Sequence, residues 1–142
     1  MLRNIPPILS PELLKIMCEM GHGDTIVLAD ANYPAASGAK RLVRLDGIEV
    51  TDLLDAMLPF FPLDIYVENP VSLMKPEPQD PTPKIWDDFS RIIKKWDEEK
   101  AFKEFELTPR MDFYENARNA YAIVQTGTTA HYANVYLKKG VL

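Results

Sequence analysis

Apolar residues recur along this chain in two alternating periods. Leu13, Leu14, Met17 and Met20 fall at helical spacing. Ser10 ahead of them is a good N-cap, Pro11 suits a first helical turn and Gly21 is a natural stop, so a helix is predicted there. Thr25-Ile26-Val27-Leu28-Ala29 is a short apolar run, β-branched at its start, which predicts a buried strand closed by Asp30. A loop with Pro34, Ser37 and Gly38 is expected over 32–40, then a strand over 41–45 ended by the turn pair Asp46-Gly47. Thr51 is expected to cap a helix through Leu53, Leu54, Met57 and Leu58, stopped by Pro59 and Pro62. Residues 64–67 and 71–74 are short strand candidates, and the prolines of 75–83 predict a surface loop.

In the second half, Ile85, Trp86, Phe89, Ile92, Ile93 and Trp96 make an apolar stripe, with Asp, Lys and Arg on the other face. That pattern predicts an amphipathic helix whose tryptophans belong to the core rather than to a cofactor box. A strand is expected over 105–107, a helix over 111–120 and strands over 121–125 and 134–137, the last two joined by residues 126–133. Helices alternating with short strands predict an α/β sandwich with a mixed central sheet, a single domain over 1–142.

The chain has 142 residues, 46% apolar and 26% charged, enough for one core. A net charge of −5 without a long Lys/Arg cluster argues against nucleic acid as a partner. No apolar run approaches the ~18 residues of a membrane span, and the proline-broken start lacks the apolar core of a signal peptide. The expectation is a cytoplasmic protein with no membrane partner. The one cysteine, Cys18, rules out an intrachain disulfide and is expected as a small core residue.

Candidate chemistry begins at Gly21-His22-Gly23-Asp24. Glycines on both sides of His22 let the backbone turn tightly and a ligand approach closely; the alternative is a helix stop with a polar filler. Asp30 ends a buried strand, the position where open α/β sheets place ligand sites, although a turn-forming role is also open to it. A histidine with a carboxylate suits proton transfer near neutral pH. The strand between them spans about 17 Å if extended, so they meet only if the turn folds back or the site is completed from elsewhere. Two histidines without HxH or HxxxH spacing argue against a metal, and no nucleophile elbow or phosphate loop is present. A second cluster, Arg110 with Tyr132, Ala133 and Asn134, offers guanidinium, phenol and amide groups of the kind that hydrogen-bond sugar hydroxyls. His131 is read as a loop residue.

Taken together, the stretch Ile8 to Lys15, Glu19 to Asp24 and Ala29 to Pro34 resembles the L-fucose mutarotase and D-ribose pyranase family. So do Phe113-Tyr114-Glu115, Ala122-Ile123-Val124, Thr126-Gly127, Tyr132-Ala133-Asn134 and Leu137 to Val141. Residues 62–104 carry little of the likeness. The resemblance implies a three-layer α/β/α sandwich assembled as a homo-oligomer, typically a decameric ring, with sites between neighbouring subunits. It places the proton donor on His22, substrate contacts on Asp30, Tyr132, Ala133 and Asn134, and a basic residue, arginine in the fucose branch, on Arg110. The implied activity is an isomerase acting on L-fucose, with D-ribose ring-size interconversion or non-catalytic sugar binding as alternatives. Opening and reclosing a sugar ring needs an acid and a base, with no cofactor and no metal. His22 is expected as the acid, and Tyr132 or Asp30 as the base or its positioner. Arg110 and Asn134 are expected to hold hydroxyls.

Overall fold

A computed structural model describes residues 1–142. Six strands form one sheet in the order β2-β5-β1-β6-β3-β4: β1 (Thr25–Ala29), β2 (Leu42–Leu45), β3 (Val71–Met74), β4 (Glu106–Thr108), β5 (Ala122–Thr126) and β6 (Val135–Lys138). All neighbours pair in parallel except at β6, which runs antiparallel to both β1 and β3. Five helices accompany them: α1 (Pro11–Glu19), α2 (Ala35–Gly38), α3 (Val50–Met57), α4 (Ile85–Trp96) and α5 (Arg110–Asn119).

Strand alternation divides the core into two layers. Ile26 and Leu28 of β1 face a large cluster containing Leu13 of α1, Leu53 and Leu54 of α3 and Phe89 and Ile93 of α4. Val27 and Ala29 face a smaller cluster with Ala35 of α2 and Phe113 and Ala117 of α5. Helices cover both sides of the sheet, which gives the expected α/β/α sandwich with a mixed sheet. No helix is long and apolar enough to cross a membrane.

The first helix begins as the pattern required, with Ser10 Oγ accepting the Leu13 amide at 3.2 Å. The amphipathic stripe of α4 buries Trp86, Phe89, Ile92 and Ile93, in agreement with the core reading of Trp86, while Trp96 packs half-buried at the core's edge with its indole N–H on Asp55. Four expectations are corrected. Residues 64–67 form no strand: pairing stops at an isolated bridge between Leu63 and Lys139 just before them, because the Asp64 carboxylate accepts the Tyr66 amide at 3.0 Å and turns the chain. The helix expected to be capped by Thr51 starts two residues earlier, with Glu49 at the cap position and Val50 as its first residue, and the Val50 amide donates to the Thr128 hydroxyl at 2.7 Å. The 32–40 loop contains the single turn α2. Cys18 is exposed rather than buried: α1 turns Leu13, Ile16 and Met17 inward, which leaves Cys18 on the outer side.

Candidate active site

Reversal of β6 creates the site. Because β6 runs against β1 and β3, its first residues lie beside the carboxyl ends of those strands. Register pairs Leu28 with Val135, and Val135 with Leu73, so Asn134 sits between the ends of β1 and β3. There Asn134 clamps Asp30 from both sides. Its Oδ1 accepts the Asp30 amide at 2.8 Å, and its Nδ2 donates to Asp30 Oδ2 at 3.0 Å. Asp30 Oδ1 accepts the Asn32 amide at 3.0 Å. Both residues are buried, at 5% and 3% exposure. Gln125 Nε2 donates to the Asp30 carbonyl, and Thr126 Oγ1 to the Ala29 carbonyl at 2.7 Å, so the next strand braces the same turn. Burial raises the Asp30 carboxyl above its usual value, and the amides of Asn32, Ala133, Asn134 and Tyr33 pull against that rise without cancelling it.

Asp30 and Asn134 face a cleft of about 240 Å³ lined also by Asn32, Tyr33, Met74, Arg110, Tyr114, His131 and Tyr132. Arg110 is the first residue of α5 and half exposed, its Nε 3.9 Å from Glu77 Oε1. A cation at a helix N-terminus opposes the helix dipole, which is the kind of local rule a binding site breaks. Tyr132 has a left-handed backbone (φ 55°). Its hydroxyl donates to Asp80 Oδ2 at 2.5 Å and accepts the Glu77 amide at 3.2 Å, and its carbonyl accepts the Trp86 indole at 2.9 Å. The bond to Asp80 pushes the Tyr132 phenol up, which keeps its hydrogen on the oxygen and directed at Asp80. Ala133, fully buried, brings its backbone amide to Asp30. Tyr33, raised by burial first and by Tyr114 second, stays a neutral hydroxyl.

The structure brings five of the six expected site residues together: Asp30, Arg110, Tyr132, Ala133 and Asn134. His22 is not with them. It precedes β1, at the opposite end of the strand from Asp30, and its Nε2 lies 3.0 Å from Asp64 Oδ1. Within one chain the Gly21–Asp24 turn does not fold back onto the cleft. Spacing in the sequence does not single out Tyr33 or Tyr114, which line the cleft, or Asp64, which meets His22; His131, expected as a plain loop residue, also lines the cleft. Tyr33 had a signal in its place after Asp30, whereas Asp64 had none beyond a mistaken strand. Nowhere do three His, Cys, Asp or Glu side chains converge as metal ligands.

Fold and cleft define a class: an α/β/α sandwich with a small polar pocket at the carboxyl ends of its parallel strands, where open sheets bind small molecules. Within that class, the chain belongs to the RbsD / FucU transport protein family, whose model matches residues 3–142. The human fucose mutarotase is 43% identical over 99% of this chain and 94% of its own length. An L-fucose mutarotase of Actinobacillus pleuropneumoniae is also 43% identical, over 99% of this chain and 97% of its own. A crystal structure of the fucose mutarotase of Streptococcus pneumoniae in complex with L-fucose superposes with a TM-score of 0.92 at 46% identity, covering 99% of each chain.

Proposed function

We propose that this protein is an isomerase that interconverts the α and β anomers of L-fucose by acid–base opening and closure of the pyranose ring. The observation that carries the reading is the buried Asp30 carboxylate, clamped by Asn134 and facing a cleft with Arg110 and three tyrosines. It stands in a chain that is 46% identical to a fucose mutarotase described in complex with L-fucose.

Opening the ring removes a proton from the anomeric hydroxyl and delivers one to the ring oxygen as the bond from C1 to that oxygen breaks. Rotation about C1–C2 and closure with the proton roles reversed give the other anomer. Asp30 is the base: burial raises its proton affinity, and proton-transfer groups work best when their pKa approaches the working pH. Arg110 and Asn134 hold hydroxyls so that the open chain recloses in place, Tyr132, whose one hydrogen is held by Asp80, offers its oxygen as an acceptor to a sugar hydroxyl, and Ala133 positions the backbone beside Asp30. His22 is the acid. Because it lies about 17 Å along β1 from the cleft of its own chain, a second copy supplies it, in a homo-oligomeric ring such as a decamer. A cytoplasmic setting fits the free, exposed Cys18 thiol, since reducing compartments preserve such thiols.

Saturation-transfer NMR of α- and β-L-fucose tests the reading. The wild type accelerates exchange about 10²–10⁴-fold, the range of positioned acid–base catalysis, and His22→Ala abolishes most of that gain. Exchange at the buffer rate with saturable sugar binding would make the protein a binder instead. Faster pyranose–furanose exchange of D-ribose than anomer exchange of L-fucose would reassign the substrate. Elution at the size of a monomer would remove the shared site.

A further inference from the structure

The end of the sheet opposite the cleft holds a second polar arrangement. His22 and Asp64 are 42 residues apart in sequence, yet their side chains meet at 3.0 Å. The Asp64 side chain is almost fully buried, at 3% exposure, while the His22 ring is half open, at 43%. Both are hung on one stretch of backbone just past β6. On the His22 side, the Gly23 amide donates to the Lys139 carbonyl at 2.8 Å, and the Lys139 amide to the Asp24 carbonyl at 2.8 Å. On the Asp64 side, the Asp64 amide donates to the Lys138 carbonyl at 3.1 Å, and the Gly140 amide to the Pro62 carbonyl at 2.8 Å. Gly23 adopts φ +84° to make its turn, a conformation glycine reaches without strain. The Lys139 ammonium ties the same stretch to α1 through the Met17 and Met20 carbonyls. Two loops fastened to three consecutive residues are held in fixed relation to one another.

We infer that Asp64 is the positioning residue of His22: it accepts the Nε2–H, fixes that tautomer, and leaves Nδ1 as the atom that exchanges a proton with the sugar. This rests on His22 being the proton donor proposed above. The Asp64 carboxylate suits the task because it stays ionised. Burial works to raise it, but the Tyr66 amide, the His22 ring and the Lys138 charge outweigh burial and hold it below the usual range. A carboxylate can only accept, so Nε2 must carry the hydrogen. As the imidazolium gives its Nδ1 proton to the ring oxygen, Nε2–H remains on Asp64 and the ring returns to the neutral Nε2–H form. The Tyr66 ring lies against the imidazole, its centroid 5.4 Å from that of His22 and its plane tilted by 55°.

The test pairs a spectroscopic readout with kinetics on the full chain. Nitrogen-15 shifts of the neutral His22 ring are expected to show the Nε2–H tautomer in the wild type and a tautomer mixture in Asp64→Ala. For L-fucose exchange, Asp64→Ala is expected to lower kcat about 10–100-fold, part of the whole acid–base share, with KM changed less than about 2-fold. Should Asp64→Ala fail to fold, Asp64→Asn keeps an acceptor for the Tyr66 amide, and Asp64→Glu is expected to recover part of the rate. An active wild type whose tautomer and kcat are both unmoved by Asp64→Ala overturns the inference and leaves the isomerase reading standing. An inactive wild type whose tautomer still depends on Asp64 upholds the orienting contact and overturns the isomerase reading.

Discussion

Asn134→Ala is the sharpest test of how the cleft is built. Asn134 is 3% exposed and makes two hydrogen bonds, both to Asp30, at 2.8 and 3.0 Å. Truncation leaves the buried Asp30 amide without an acceptor, about 1–3 kcal/mol, and removes a bond to a charged group, about 1.5–3 kcal/mol. Partial relaxation of the turn makes the sum an upper bound, so we expect a loss of about 3–5 kcal/mol. That corresponds to a fall in Tm of about 10–17 °C for a chain of this size. Urea unfolding at fixed protein concentration reads the change as a lower midpoint with an unchanged slope. Asn134→Asp supplies the control. It keeps an acceptor for the Asp30 amide but sets a second carboxylate beside the first, so it is destabilised at pH 7 and recovers on mild acidification, when the pair can share a proton. A loss below about 1 kcal/mol for the alanine variant would mean that Asn134 is not the clamp described.

Three further outcomes follow from the contacts. Gly140→Ala would drive Cβ into the Leu63 carbonyl; we expect about 1–3 kcal/mol of destabilisation by urea unfolding and, in the same sample, perturbed His22 ring signals. Tyr132→Phe removes the hydroxyl bonded to Asp80 and Glu77, so limited proteolysis within 75–83 should quicken while stability falls by no more than about 1.5 kcal/mol. Asp64 titrates below its usual range, so its contribution to stability is present above pH about 4, the unfolded value, and is lost as pH falls through the folded one. The stability gap between wild type and Asp64→Asn should therefore narrow between pH 5 and pH 2, about the acid range of a depressed carboxyl, whereas a constant gap would show that no charge is involved.

Much of the layered frame could be read locally. The α4 stripe, the Ser10 cap and the β1 run each depend on residues within one or two turns, and hydrophobic period reports such arrangements directly. The start of α3 lies two residues ahead of the Thr51-capped expectation because a distant group, the Thr128 hydroxyl, accepts the Val50 amide. The site was legible as a set of residue types but not as a geometry. Asp30 and Asn134 are 104 residues apart and meet only through the antiparallel insertion of β6. Residues 64–67 depart from the strand expectation because the local bond from the Tyr66 amide to the Asp64 carboxylate turns the chain, and a β-like composition does not report that turn over only four residues. Cys18 directly follows buried Ile16 and Met17, and one helical step carries it off their stripe onto the face it shares with exposed Lys15.

Strand β6 carries Asn134 immediately before its first residue and Lys138 to Gly140 at its far end. Four residues of strand, about 13 Å, therefore act as a ruler between the clamp on Asp30 and the anchorage of the His22–Asp64 pair. Loss of one residue there would shorten the ruler by about 3.3 Å and turn every following side chain to the opposite face. Evolution can retune the walls of the cleft through the loops, but length changes in this one strand strike both ends of the sheet at once. An engineered insertion tolerated in 75–83 and forbidden in 135–138 would expose that asymmetry.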